Sequence, residues 1–162
     1  MSQYSAVITW SRGEAVFTDG HYSRVHRWSF DGGVDVRASA SPHVVPLPYS
    51  VVDAVDPEEA FVASLASCHM LWFLSIAAGR NFTVEEYQDP AVGVMAKNEA
   101  GKLAMTRVTL RPRVTFVRGH QPSAHDYQAM HDEAHERCFI ATSVKTQVLC
   151  EPVDMTEDQA PR

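Results

Sequence analysis

Cysteine is scarce in this sequence. Three residues in 162 (Cys68, Cys138 and Cys150) are too few, and odd in number, for the disulfide framework of a small secreted domain. Positive charge is not in excess either. Fourteen lysines and arginines stand against 20 aspartates and glutamates, and the net charge of −6 argues against nucleic acid as the main partner. No apolar stretch follows a basic start in "MSQYSAVITWSRGEAVF", so no secretory leader is read there. The longest uninterrupted apolar run, Met70 to Leu74, is too short to span a bilayer. Repeats, low-complexity tracts and linkers are missing too. With 45% hydrophobic and 21% charged residues, this balance predicts one soluble domain over residues 1–162, cytoplasmic, with reduced thiols and a frayed tail at about 156–162.

What is present is an ordered series of elements. "SAVITWSRGEAVFTDGHYSRVHRWSFDGGVDVRAS" alternates as short strands do, with turns at "SRGE", "TDGH" and "DGG". "SASPHVVPLPYS" holds three prolines in seven residues and predicts an extended loop, since proline cannot donate to a strand ladder. In "DPEEAFVASLASCHMLWFLSIAAGR", Asp56 is a natural N-cap, Pro57 suits the first helical position, Glu59 can close a capping box, and Gly79 is the stop. The next segment reads as a long hairpin around "NEAGK", with bulges or an exposed edge at Pro90 and Pro112. A second helix follows, capped by Ser123 and amphipathic through Tyr127, Met130 and Ala134. A short turn and a closing strand end the series. The order β-β-β-α-β-β-α-β is that of an α+β fold with mostly antiparallel strands.

The first helix is apolar on every side from Phe61 to Ala78, and a helix of that kind is buried all round. A lone cysteine there is usually an inert small hydrophobe. Two features speak for reactivity at Cys68. His69 is adjacent and expensive to bury without a partner, and Ala63, Ser64, Ala66 and Ser67 leave room for close approach. Glu58 and Glu59 both favour the helix dipole; capping by Glu59 leaves Glu58 without an assigned partner.

Cys138 ends the second helix in "AHERCFIATSVKTQV", seventy residues from Cys68, which excludes a CxxC motif. Here the chain resembles the osmotically inducible protein C / organic hydroperoxide resistance (OsmC/Ohr) family. "DPEEAFVASLASC" resembles that family's Asn-Pro-Glu helix start and peroxidatic cysteine, which places Glu58 and Cys68 in those roles. "CFIATSVKTQV" resembles the resolving-cysteine segment, normally Cys-Pro-x-Ser, and so implies Cys138 as the resolving thiol. The strand-rich first fifty residues and the hairpin between the helices fit the family's order. The sequence departs from the pattern at Asp56, which stands for Asn, and at Phe139, which stands for Pro.

The resemblance implies an intertwined homodimer with two long central helices backed by sheets, and a thiol peroxidase without a cofactor. It also implies a dithiol reductant such as dihydrolipoamide, and an arginine paired with the glutamate beside the thiolate. In "YSRVHRWSF" the strand period places Arg24 with His26, Trp28 and Phe30, the apolar face, so Arg24 is the first candidate and Arg27 the second. An arginine would offset desolvation of a thiolate, and a glutamate would fix its guanidinium. Attack on an O–O bond would leave a sulfenic acid on Cys68 for Cys138 to condense into a disulfide. Apolar surroundings favour an organic hydroperoxide over hydrogen peroxide.

Two other functions compete. His131 and His135 stand at i, i+4 in "HDEAH", the spacing of two metal ligands on a helix, though without the zincin glutamate; a solvated polar face is the plainer reading. A redox sensor or ligand-binding dimer could share the same thiols. Cys150, in the strand pattern "TQVLCEP", reads as structural.

Overall fold

A computed structural model describes residues 1–153; the expected frayed tail lies outside the described residues. The chain forms two compact units, Met1–Ala60 and the residues from Phe61 onward.

In the first unit, β1 (Ala6–Thr9), β2 (His26–Phe30) and β3 (Asp35–Ala38) form an antiparallel sheet in that order. Ile8 stands opposite Trp28, and Trp28 opposite Val36. The β2–β3 turn needs a glycine: Gly33 has φ +80°, where a side chain is strained, and its N–H donates to the Phe30 carbonyl. Arg24 lies before β2 begins, so strand alternation does not orient it. Phe30 is 40% exposed, which corrects the expectation that Trp28 and Phe30 share a buried face; Trp28 alone is half-buried. The proline-rich segment is a succession of turns instead of an extended loop. The Ser41 carbonyl accepts from the N–H groups of Val44 and Val45, and the Pro46 carbonyl accepts from that of Tyr49.

The helix α1 (Pro57–Gly79) starts at the end of this unit and runs into the second. Its capping box is formed as expected. The Glu59 N–H donates to Asp56 Oδ1 at 2.7 Å, and the Asp56 N–H donates to Glu59 Oε2 at 3.3 Å. The stop differs from expectation. Gly79 is the last helical residue, and the left-handed position is Asn81, φ +63°. Phe82 N–H reaches the Ala77 carbonyl and Asn81 N–H the Ala78 carbonyl, a Schellman closure in which asparagine takes glycine's place.

After α1 come β4 (Val84–Gln88), β5 (Val92–Lys97), β6 (Leu103–Leu110) and β7 (Arg113–Phe116). This is the expected hairpin, divided in both arms. Pro90 separates β4 from β5 and Pro112 separates β6 from β7, so β4 pairs with β7 and β5 with β6 in separate sheets. β5 lies close to α1 at Gly93, where an added Cβ would meet Val62 Cγ2 and Met105 Sδ at 2.6 Å. The helix α2 (Ala124–Arg137) is capped by Ser123, whose Oγ accepts from the Asp126 N–H at 3.1 Å. A 3-10 turn (Ala141–Ser143) leads to β8 (Gln147–Cys150), which joins β6 in parallel with Cys150 opposite Leu110.

Phe73, Ile76 and Ala77 of α1 pack with Val114, Phe116, Tyr127, Met130 and Ala134 in one core cluster; Leu65, Val108 and Leu110 form another. By length and composition α1 could cross a membrane, beyond what its longest uninterrupted run implied, but here it is a core helix burying Leu65, His69, Phe73, Ile76 and Ala77. It is not buried all round. Ala63, Ser67, Leu71, Ser75 and Ala78 recur every three or four residues along one exposed stripe, and Leu71 is 63% exposed.

Candidate active site

The site is built where α1 passes the end of α2. Cys68 lies about three turns into α1, half-buried. Cys138 is the residue at which α2 stops: its backbone is extended (φ −66°, ψ 107°) and it is 2% exposed. The two thiols are close enough that Cys68 raises the proton affinity of Cys138, although seventy residues separate them in sequence. Beyond Cys138 the chain turns tightly. The Ala141 N–H donates to Cys138 Sγ at 3.4 Å, the Ile140 N–H also reaches it, and the Thr142 N–H donates to the Cys138 carbonyl at 3.0 Å.

These surroundings set the proton affinity of Cys138. Burial pushes its thiol up to about 11, the neighbouring Cys68 adds to that, and the two backbone N–H groups oppose it. Burial prevails over the amides. Cys138 therefore keeps its proton at neutral pH.

Two aromatic rings and a cation flank the pair. Trp72, one turn beyond Cys68, meets Phe139 edge-on with centroids 5.4 Å apart. The Arg137 guanidinium lies 5.5 Å from the Trp72 ring centre. Glu133 holds that guanidinium at 2.8 Å through one carboxylate oxygen and Arg80 at 2.6 Å through the other. Sequence reasoning did not single out Arg137, although it directly precedes Cys138 and follows Glu133 by four residues, the stabilising order on a helix.

The other predicted residues belong to the first unit. The Arg24 guanidinium donates to the carbonyls of Gly20, at 2.8 Å, and Tyr22, and lies 3.8 Å from the Tyr22 ring centre. Arg27 pairs with Asp35 at 3.2 Å on the surface. Glu58 is half-buried in the first turn of α1.

The histidine expectation changes most. His131 does not lie on a solvated face; it is fully buried, as is His69. His69 Nε2 and His131 Nδ1 are 3.0 Å apart, and Cys150 Sγ lies 3.6 Å from His69 Nε2. Burial, then the neighbouring His135, lowers His69 to about 4; burial, then His69, lowers His131 to about 3. Burial, with Asp89 next in weight, pushes Cys150 up to about 12. The polar residue inside the apolar run of α1 was the visible signal; its partner on α2 was not readable.

The fold and the adjacent thiols define a dithiol protein of the α+β class. Comparison with known proteins agrees. Residues 51–152 match the family described as OsmC-like protein, and the chain belongs to that family. It is similar to an OsmC-like protein of unknown function from Vibrio cholerae O1 biovar eltor, at 55% identity and TM-score 0.93, over 94% of this chain and 100% of that one. The organic hydroperoxide resistance protein of Bacillus subtilis shares the fold at 19% identity and TM-score 0.66, over 93% and 98% of the two chains. An organic hydroperoxide resistance protein from Legionella pneumophila matches at 18% identity and TM-score 0.63, over 94% and 97%. The mostly antiparallel OsmC/Ohr-like α+β fold expected from sequence is thus the fold observed. No curated protein matches the sequence significantly.

Proposed function

We propose that this protein is a cytoplasmic thiol peroxidase that reduces organic hydroperoxides with Cys68 as nucleophile and Cys138 as resolving thiol. The observation that supports the reading is the proximity of these two thiols, close enough for Cys68 to raise the proton affinity of the buried Cys138. The Cys68 thiolate attacks one peroxide oxygen and the O–O bond breaks. The leaving alkoxide takes a proton and departs as the alcohol, leaving a sulfenic acid on Cys68. Cys138 then attacks that sulfur, water leaves, and the disulfide forms with the two electrons the peroxide has taken. An external dithiol returns both thiols by exchange. Trp72 and Phe139 supply the apolar, aromatic surface that suits an alkyl or aryl peroxide.

The resemblance extends the reading to Arg24, as the cation that keeps Cys68 ionised, and to Glu58, as its carboxylate partner. Glu58 and Cys68 are ten residues apart on one helix, about 15 Å of rise. A second copy of α1, packed antiparallel in a homodimer, would bring a second Glu58 toward the thiols. The exposed stripe of α1, small residues around Leu71, supports such an interface.

Cys138→Ser tests the roles. Treated with cumene hydroperoxide and dimedone, this variant accumulates the dimedone adduct on Cys68; Cys68→Ser forms none and consumes no peroxide. Retained turnover in Cys68→Ser contradicts the assignment. For the dimer, co-refolded Glu58→Gln and Cys68→Ser subunits recover activity that neither homodimer has, and a fully active monomer in sedimentation contradicts it.

A further inference from the structure

The thiol pair accounts for two of the three cysteines. The third belongs to a separate cluster within the second unit, contributed by three elements: His69 of α1, His131 of α2 and Cys150 at the end of β8. One potential ligand atom from each lies within 4.8 Å of the other two. Both imidazoles are fully buried and stacked in nearly parallel planes, 4° apart. Phe73 packs on the His131 ring with centroids 4.2 Å apart, so the surroundings are apolar.

Hydrogen bonding alone leaves this cluster poorly served. His69 Nε2 and His131 Nδ1 share one contact, while His69 Nδ1 and His131 Nε2 have no partner among the described residues. Buried polar groups without partners are costly, and two such imidazoles in one core call for a further explanation. A cation between the three inner-facing atoms would explain their convergence instead: it would take the lone pairs of His69 Nε2, His131 Nδ1 and the Cys150 sulfur, with the ring protons on the outer nitrogens.

We propose that His69, His131 and Cys150 form a binding site for a first-row divalent metal ion of the zinc class. The spacing suits it. Tetrahedral zinc with bonds of about 2.0–2.1 Å to nitrogen and about 2.3 Å to sulfur places nitrogens about 3.3 Å apart and nitrogen and sulfur about 3.5 Å apart. The observed separations are 3.0 Å between His69 and His131 and 3.6 Å between His69 and Cys150, and the His131 and Cys150 donors lie within 4.8 Å of each other. A shift of a few tenths of an ångström separates the two rings, and a movement of up to about an ångström brings Cys150 and His131 to the same spacing. The donors suit it as well: two imidazoles and one thiolate are borderline ligands, unattractive to magnesium or calcium. On binding, the Cys150 thiol releases its proton to solvent and the S–H bond is replaced by a metal–sulfur bond. Three protein ligands leave the fourth position for water or a small anion, as in open zinc sites. His131 is here a ligand with His69, in place of the His131–His135 pair that helical spacing presents.

The test uses the full chain carrying Cys68→Ser and Cys138→Ser, reduced and free of metal, so that the other thiols cannot bind. Anaerobic titration with Co²⁺ alone should give one equivalent of tetrahedral visible bands with thiolate-to-cobalt charge transfer, which Zn²⁺ displaces, and Zn²⁺ should raise the unfolding temperature. Adding Cys150→Ser removes the charge-transfer band and weakens Co²⁺ by about 100-fold or more, at least the loss typical of a disturbed zinc shell. His131→Gln removes the tetrahedral bands; circular dichroism establishes whether it folds, and the milder Cys150→Ser result decides the matter if it does not. No charge-transfer band, an unchanged band after Cys150→Ser, or a band seen only when Cys68 and Cys138 are present overturns the site. Uptake of Cu⁺ without Co²⁺ or Zn²⁺ overturns the zinc class.

Discussion

Cys138 and Cys150 are thiols in one unit, and burial pushes both upward, to about 11 and about 12. Their neighbours make them different. Cys138 lies beside a second thiol and accepts from the Ala141 N–H, surroundings that suit the exchange between sulfurs proposed for it. Cys150 lies beside two neutral imidazoles and has no second sulfur among the described donor atoms around it, surroundings that suit the lone-pair donation proposed for it. The elements differ too. Cys138 sits where a helix ends and a tight turn begins, whereas Cys150 is held in a strand ladder against Leu110. Burial alone does not tell a redox thiol from a ligand; the partner atoms do.

The sharpest way to break this contrast is at Cys68. Cys68→Ser is expected to abolish peroxide consumption outright while the protein stays folded, measured by peroxide loss beside circular dichroism. Next in size is Phe73→Ala. Phe73 is fully buried and its ring contacts Tyr87, Phe116, Tyr127 and His131, so truncation should cost about 3–5 kcal/mol in urea unfolding. Loosening α1 against α2 should weaken both cysteine environments, and a cost below about 1 kcal/mol would show that this core does not hold them.

The histidines give the comparison a pH dependence. In the metal-free protein His69 and His131 are lowered from 6.5 to about 4 and about 3, so the unfolded chain binds more protons than the folded one in between. Their contribution is complete above pH 6.5 and is lost as pH falls toward 3, at up to about 1.4 kcal/mol per pH unit for each ring. Urea midpoints measured from pH 7 to 4 check this, and His131→Gln should flatten the slope. Smaller effects are expected elsewhere. Arg24→Ala should slow oxidation of Cys68 at neutral pH more than Arg27→Ala does; the reverse ranking would move the cation's role. Ser123→Ala should cost about 1 kcal/mol through its lost cap, without altering either thiol.

Much of the fold was legible because it rests on local chemistry. Asp56 with Glu59 announced the start of α1 and Ser123 announced α2, while the prolines at 90 and 112, read as bulges or an exposed edge of one hairpin, fall where it divides into two sheets. The thiol pair was legible through the resemblance, since no spacing rule links residues 68 and 138. The grouping of His69, His131 and Cys150 was not legible. It depends on which face α2 turns toward α1, and helical spacing paired His131 with His135 instead of with His69. Strand phase failed at Arg24 because alternation applies only inside a ladder, and β2 begins at His26. The burial of Phe30 was overestimated for a related reason: the first sheet leaves Val7, Ile8, Phe30 and Val34 exposed in the single chain, and alternation cannot say what covers a face.

The central claim is that Cys68 and Cys138 act together on an organic peroxide while Cys150 stands apart. The most direct measurement is stopped-flow oxidation of the fully reduced protein by one equivalent of cumene hydroperoxide or hydrogen peroxide, followed by peptide mapping of the product. The account predicts faster oxidation by cumene hydroperoxide and a single disulfide joining residues 68 and 138. A disulfide between 68 and 150, or oxidation by hydrogen peroxide at an equal or greater rate, would contradict it.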